Sequence, residues 1–289
     1  DVIFNRPFRA PHHTASQISL IGGGSSPKPG EVSLAHLGVL FLDELPEYPR
    51  STLEALRQPL EDKLVSISRA KGRVVYPSNF MLVATMNPCP CGYYGDSTRE
   101  CICTTSQIIA YQKRLSGPLI DRIDMVVPVN RIPNEQLLSH KSLNNSQHIS
   151  SYELIQAALN QQKNRYNSSI KRNSSLSSSE VRQHIPLSPD VKHFLDAAAD
   201  KLQLSPRGYF KVIRVAQTIS DLANDQNLTI AHISEALQNS LIFPCISDRM
   251  ALESTTFKDT QSKGEYNQYV NTHKRGYSCK RASCYWCKW

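Results

Sequence analysis

Val39-Leu-Phe-Leu-Asp-Glu44 is a short apolar run that ends in two adjacent carboxylates. A run apolar on both faces and bounded by polar residues predicts a buried strand of a parallel sheet, with Gly38 just before it. Two carboxylates delivered at the carboxyl end of such a strand suit a nucleoside triphosphatase. Asp43 would bind Mg²⁺ and Glu44 would polarise the attacking water. The same letters also describe a strand running out into a polar loop, so the run alone leaves both readings open. Phe80–Thr85 is a second apolar run, and it leads into Asn87-Pro88. Asn87 would then sit beyond the carboxyl ends of the strands, where ligands of such sheets bind and where an amide can reach a γ-phosphate; an Asn-Pro turn is the plainer alternative. Met125–Val129 predicts a third strand. Leu53, Leu56 and Leu60 recur at helical spacing over Arg50–Glu61, and residues 64–76 alternate around Arg69-Ala-Lys-Gly-Arg73 as a hairpin turning near Gly72. Strand, helix and strand in this order predict an α/β layer fold. Residues 1–30, punctuated by Pro and Gly, read as loop.

The chain changes character after residue 138. Ten of the sixteen residues 164–179 are Ser or Asn, which reads as a flexible connector. Residues 189–202, 206–224 and 230–241 carry helical periodicity and predict a small all-helical domain. Residues 251–289 hold seven Lys or Arg against three acids, so they supply +4 of the formal net charge of +8 and leave only +4 on the other 250 residues. Bulk charge is therefore a weak pointer to nucleic acid. With 40% hydrophobic residues the chain is not wholly disordered, and no apolar run is long enough for a membrane helix. Of eight cysteines, four form Cys89-x-Cys91-x₉-Cys101-x-Cys103. Four thiolates in one loop match the ligand number of tetrahedral Zn²⁺, although the spacing is not the usual C-x₂-C; four free thiols in a reducing compartment is the alternative.

Several longer segments are distinctive: Arg6-Pro-Phe-Arg-Ala-Pro-His-His13, Ile21-Gly-Gly-Gly24, Pro29-Gly-Glu-Val-Ser-Leu-Ala-His36, Gly38–Glu47, Leu56–Glu61, Asn87-Pro-Cys-Pro-Cys-Gly92 and Ser116-Gly-Pro-Leu-Ile-Asp-Arg-Ile-Asp124. Together they resemble the Mg-chelatase-like AAA+ ATPases of the ComM/YifB type over about residues 4–242. The resemblance implies roles for individual residues. Asp43 and Glu44 match Walker B, Asn87 matches sensor 1, and Arg122 matches the arginine finger offered to a neighbouring subunit's nucleotide. Arg207 matches the lid arginine called sensor 2, with Arg214 as second choice. Residues 21–30 and 64–76 resemble the two loops that face the central channel of a ring. Lys28, Arg69, Lys71 and Arg73 would there meet the phosphates of DNA. The pair His12-His13 belongs to a family motif but receives no chemical role from the sequence.

The family's phosphate loop, G-x-x-x-x-G-K-[ST], does not occur in these 289 residues, and the chain starts at Asp1. An N-terminally truncated piece is the simplest expectation, and the chain alone is then expected to hydrolyse ATP negligibly. The full set of expectations is as follows. The fold is an α/β P-loop NTPase (AAA+) parallel-sheet core, N-terminally incomplete, followed by an all-helical lid. Residues 1–138 form the ATPase part, 139–184 a partly helical connector, 185–246 the lid and 247–289 an atypical basic tail without packed structure. ATP and Mg²⁺ are the implied cofactors, with Zn²⁺ at the cysteines. A hexameric ring of the full-length form, DNA as partner, no membrane association and a cytoplasmic setting complete the reading. A chelatase-type motor that inserts metal into a tetrapyrrole, and a zinc-stabilised DNA-binding or adaptor module without turnover, are the alternatives.

Overall fold

The computed structural model describes residues 5–69, 72–96, 99–129 and 145–240. Lys71, the hairpin turn and the whole of the 247–289 tail lie outside the described residues. The described residues form two compact units that divide between Ile123 and Asp124.

In the first unit, β1 (Phe8–Arg9), β4 (Val39–Leu42) and β7 (Met81–Ala84) form a parallel sheet in the order β1-β4-β7. The run Val39–Leu42 is thus the central strand, as its two-sided apolarity predicts; Leu40 and Leu42 are fully buried. Its register pairs Leu42 with Ala84 and Val39 with Phe8, so all three strands point the same way. Gly38 is obligatory for the β1 pairing. A Cβ there would lie 1.9 Å from the carbonyl oxygen of Pro7, which itself accepts the Val39 amide at 2.8 Å.

Residues 1–30 are not simply loop. Besides β1 they contain α1 (Gln17–Ile21), N-capped by the Ser16 side chain, and a two-stranded antiparallel ribbon of β2 (Gly22–Gly23) and β3 (Lys28–Pro29). Gly22, at φ +104°, lets the ribbon close, because a side chain there would meet the Lys28 carbonyl. A short helix, α2 (Glu31–Leu34), follows.

The helix expected over 50–61 is broken into α3 (Arg50–Ala55) and α4 (Arg57–Asp62). Pro59 explains the break. It has no amide proton for the carbonyl of Ala55, four residues back, and its ring would clash with that group. The hairpin is present as β5 (Leu64–Arg69) and β6 (Gly72–Pro77), with Arg69 paired to Gly72. After β7 come α5 (Thr105–Gln112) and α6 (Gly117–Ile120).

The second unit is helical: α7 (Asn145–Tyr166), α8 (Ser178–His184), α9 (Pro189–Lys201), α10 (Pro206–Ala223) and α11 (Ile230–Ser240). Leu195, Val212, Ala216 and Ile233 form its centre. The expected strand over Met125–Val129 is not formed. Met125 packs on this helical core, and the Val126 amide donates to the Asn239 carbonyl at 2.8 Å, so the apolar letters are used against helices instead of in a sheet. Residues 164–179 also differ from a free connector. Tyr166, Asn173 and Leu176 are buried in the core, and Asn173 donates to Asp221 at 2.9 Å. Composition misleads here because the polar side chains find partners inside the fold. Among the described residues, no helix is long and apolar enough to cross a membrane.

Candidate active site and cysteine cluster

The two carboxylates emerge where β4 ends, and the neighbouring strand organises them. Thr85 follows β7 directly. Its hydroxyl donates to Asp43 Oδ1 and accepts the Glu44 amide at 3.0 Å. The backbone ladder continues beside it, with the Thr85 amide on the Leu42 carbonyl at 3.1 Å and the Leu45 amide on the Thr85 carbonyl at 2.8 Å. Glu44 sits in the left-handed region at φ 51°, ψ 54°, a conformation that costs a non-glycine residue about 1–3 kcal/mol. That strained bend turns the chain into the Leu45–Glu47 3₁₀ turn and leaves both carboxylates exposed.

The sequence offered no role for His12-His13, but the parallel pairing of β1 with β4 brings this loop to the same sheet end. His13 Nδ1 lies 3.8 Å from Glu44 Oε2, and the two imidazoles are 4.0 Å apart. The Tyr48 hydroxyl donates to the Pro11 carbonyl at 2.6 Å and pins the loop. Burial, with Asp43 nearby, raises the pKa of that hydroxyl. No spacing rule announces this contact; it follows from strand order. Thr85 was equally silent, being one hydroxyl at the end of an apolar run.

Asn87 lies two residues beyond Thr85, exposed at the same end of the sheet. Its backbone meets the hydroxyl of Tyr111 on α5; burial raises the Tyr111 pKa, and the Asn87 contact opposes that rise. Arg122, after α6, does not project freely. One guanidinium nitrogen is paired with Glu61, another donates to the Pro118 carbonyl at 2.5 Å, and its buried Nε has no hydrogen-bond partner among the described residues.

Arg207 and Arg214 both lie on α10 in the helical unit, seven residues apart and therefore on one face. Arg214 Nη1 donates to the Leu176 carbonyl at 3.2 Å. Burial lowers its pKa, Asp124 opposes this, and Arg207 adds to it. The ribbon and the hairpin, each read as channel-facing, touch one another: the Tyr76 hydroxyl on β6 donates to the Pro27 carbonyl at 3.0 Å. Lys28 and Arg73 are exposed on these two elements, and Arg73 Nε donates to Ser66 at 2.8 Å. The side chain of Arg69 lies outside the described residues.

The four cysteines converge. Their sulfurs all lie within 4.8 Å of one another, with Cys89 3.4 Å from Cys91 and 3.7 Å from Cys101, and Cys91 3.5 Å from Cys101. An amide of Tyr93 is the main cause that brings the Cys91 thiol down to about 6. At Cys101 an amide from Cys103 pulls downward, but desolvation and the neighbouring thiols outweigh it and push that group up to about 12. Burial and the neighbouring thiols also raise Cys103, so Cys91 ionises more readily than Cys101 or Cys103, as expected where adjacent like charges repel.

Mg²⁺ prefers carboxylate oxygen and water ligands, and Asp43 with Glu44 offers such donors in the open. No loop of the chain offers the phosphate-cradling G-x-x-x-x-G-K-[ST] pattern.

Comparison with known proteins identifies the family. Two family models match, "Magnesium chelatase, subunit ChlI" over residues 1–137 and "Magnesium chelatase, subunit ChlI C-terminal" over residues 144–239. The chain is 42% identical over 233 residues to the competence protein ComM of Haemophilus influenzae, covering 80% of this chain and 44% of that protein. YifB of Escherichia coli is 41% identical, and YifB of Salmonella typhimurium 40%, each over 80% of this chain and 45% of theirs. The chain therefore spans about half the length of the curated relatives it matches. With both halves matched in order and the carboxylate-bearing strand central in a parallel sheet, the chain belongs to the Mg-chelatase-like family of the ComM/YifB type.

Proposed function

We propose that this chain is part of a cytoplasmic AAA+ motor that hydrolyses ATP at the subunit interfaces of a hexameric ring and acts on DNA, in branch migration or translocation during uptake and recombination. The observation that carries the hydrolysis half is the carboxylate pair at the end of the central strand, fixed by the single Thr85 hydroxyl. Mg²⁺ would neutralise charge on the transferred phosphoryl group. Asp43 would hold it, Glu44 would take the proton of the attacking water, and Asn87 would orient that water or a γ-phosphate oxygen. Arg122 would serve the neighbouring subunit's site after leaving Glu61, and Arg207, with Arg214 as second choice, would serve from the lid. The DNA half is supported by the touching ribbon and hairpin, which carry Lys28 and Arg73 and, in sequence, Arg69 and Lys71. It is also supported by the competence protein among the relatives. The four cysteines would hold Zn²⁺ as a structural site.

The test uses a protein of the relatives' full length that carries this segment. ATP hydrolysis stimulated by DNA and abolished by Glu44→Gln is the expected result, with DNA binding that weakens steeply as salt rises. Absence of both DNA stimulation and salt-sensitive DNA binding overturns the DNA reading. Stimulation by a metal-free tetrapyrrole with Mg²⁺ instead would support metal insertion, the reading favoured by the description of the matching family models.

A further inference from the structure

The segment that carries Asn87 is short of anchors. After Thr85 the strand ladder ends, and Asn87 is exposed. Among the described residues, three contacts hold the chain there. Gln112 Nε2, at the end of α5, donates to the Pro88 carbonyl at 3.2 Å. Tyr111 meets the Asn87 backbone. Cys89, two residues on, is fully buried among the other three thiols.

The thiols already have the dimensions of a metal site. With Zn–S bonds of about 2.3 Å, the edge of a regular tetrahedron of sulfurs is about 3.8 Å. The observed separations of 3.4, 3.7 and 3.5 Å are close to that edge. They are far above the roughly 2.05 Å of a disulfide. The loop is also built as a metal knuckle. The Gly92 amide closes a turn on the Cys89 carbonyl at 3.0 Å, Gly92 adopts φ +81°, and the Tyr94 amide donates to the Cys89 sulfur at 3.3 Å. Amides aimed at sulfur offset the negative charge of a thiolate-rich site.

The far side of the knot is tied to α5. Cys103 directly precedes Thr104, the N-cap of that helix, which forms a reciprocal capping box with Gln107. One turn beyond Tyr111, Arg114 reaches Glu47 at 2.9 Å and the Pro46 carbonyl at 3.3 Å, in the turn that follows Glu44. The knot, α5 and these contacts therefore frame Asn87 on one side and the Glu44 turn on the other.

We propose that a single Zn²⁺-class ion bound by Cys89, Cys91, Cys101 and Cys103 positions Asn87, so that metal occupancy controls the order of the hydrolysis-site segment 86–90 while the sheet and the helical unit stand without it. The proposal rests on the metal reading of the thiols but claims more than structural staple duty. Cys89 acts as a positioning residue through the backbone, not as a catalytic one.

The experiment measures metal content by plasma mass spectrometry on the 289-residue chain purified under reducing conditions, then amide hydrogen exchange by peptide before and after chelation. About one zinc per chain is expected. Its removal is expected to speed exchange at least ~10-fold in peptides spanning 86–94, where the Gly92 and Tyr94 amides are bonded to Cys89, with β4 and α10 unchanged. Re-adding Zn²⁺ should restore slow exchange. Cys101→His, which preserves four ligands, should retain both metal and protection, and Cys101→Ser should lose both. One zinc per chain with exchange at 86–94 indifferent to its removal overturns the positioning proposal and leaves the metal reading intact. Exchange that rises throughout the first unit overturns it too, because the metal is then a general staple. No bound metal, with four thiols titrating freely, overturns both.

Discussion

Asp221 is the point at which the helical unit is most exposed to a single substitution. It is fully buried and accepts four hydrogen bonds: two from Arg165, at 3.1 and 2.5 Å, one from Asn173 at 2.9 Å and one from Gln217 at 3.0 Å. These donors tie α7 and the 173–175 turn to α10, the helix that carries Arg207 and Arg214. Asp221→Ala would leave Arg165 with the 3.4 Å contact to Asn173 and the Tyr166 side chain but no carboxylate among the described residues, while Asn173 keeps Thr218 at 2.9 Å and the Gln217 amide loses its acceptor. Removing one partner of a buried ion pair costs about 3–5 kcal/mol. An orphaned buried amide adds about 1–3 kcal/mol. The Arg165 side chain is 21% exposed and can recover some hydration, which trims the first figure. The expected loss is therefore about 3–5 kcal/mol, a large share of the 5–15 kcal/mol typical of a domain. For a unit of this size it corresponds to a fall in Tm on the order of 20 °C. Urea unfolding followed by circular dichroism, on Asp221→Ala, Arg165→Met and the double variant, measures both the loss and the coupling. A loss below about 1 kcal/mol, or two single losses that simply add, would refute the claim that this pair holds the helices together.

Three further outcomes follow from the same structure. Glu180 is held down to about 2 by Lys171 and by the backbone and side chain of Ser177. Because its folded pKa lies below the ordinary value of 4.5, its contribution is present above pH 4.5 and lost as pH falls towards 2. Glu180→Gln should flatten the pH dependence of helical-unit stability in that window, and an unchanged profile would count against it. Gly38→Ala, with its Cβ driven to 1.9 Å from Pro7, should cost the first unit more than about 3 kcal/mol. Gly117→Ala, which meets nothing within 4 Å, should be tolerated within about 0.5 kcal/mol, with thermal unfolding reading both. Arg122→Ala should lower the stability of the first unit by about 1.5–3 kcal/mol through loss of Glu61 and Pro118. In a full-length ring it should also cut kcat by ~10³-fold or more with little change in KM, and a kcat that follows only the unfolded fraction would remove the finger assignment.

Much of the first unit was legible in sequence because the buried strands and the hairpin are written in local letters. Val39–Leu42 and Met81–Ala84 form where the apolar runs stand, and the helices after residue 189 end within a residue or so of their periodic stretches. The break in the 50–61 helix has a local cause, Pro59, whereas the larger misses come from partners distant in the chain. Met125–Val129 has strand letters but spends them on the helical core. Ser- and Asn-rich 164–179 looks solvated, yet Asn173 satisfies Asp221 in the interior. The convergence of four cysteines could be guessed from spacing, whereas Thr85 beneath Asp43 and His13 beside Glu44 depend on strand order, which no periodicity encodes.

The alignment of Asp43, Glu44 and Thr85 is set by the backbone ladder between two adjacent parallel strands, not by any connection between them. The solvent-facing side of the basic hairpin, residues 64–77 within the connection between those strands, can therefore change without shifting one carboxylate against the other, whereas Leu53 and Leu56 of the same connection belong to the buried core. The surface of the hairpin and the geometry of the carboxylate pair can thus diverge separately. Lys63 and Ser78 close the base of the hairpin with a 2.8 Å backbone hydrogen bond, so a foreign hairpin grafted between them would leave Asp43, Glu44 and Thr85 in register.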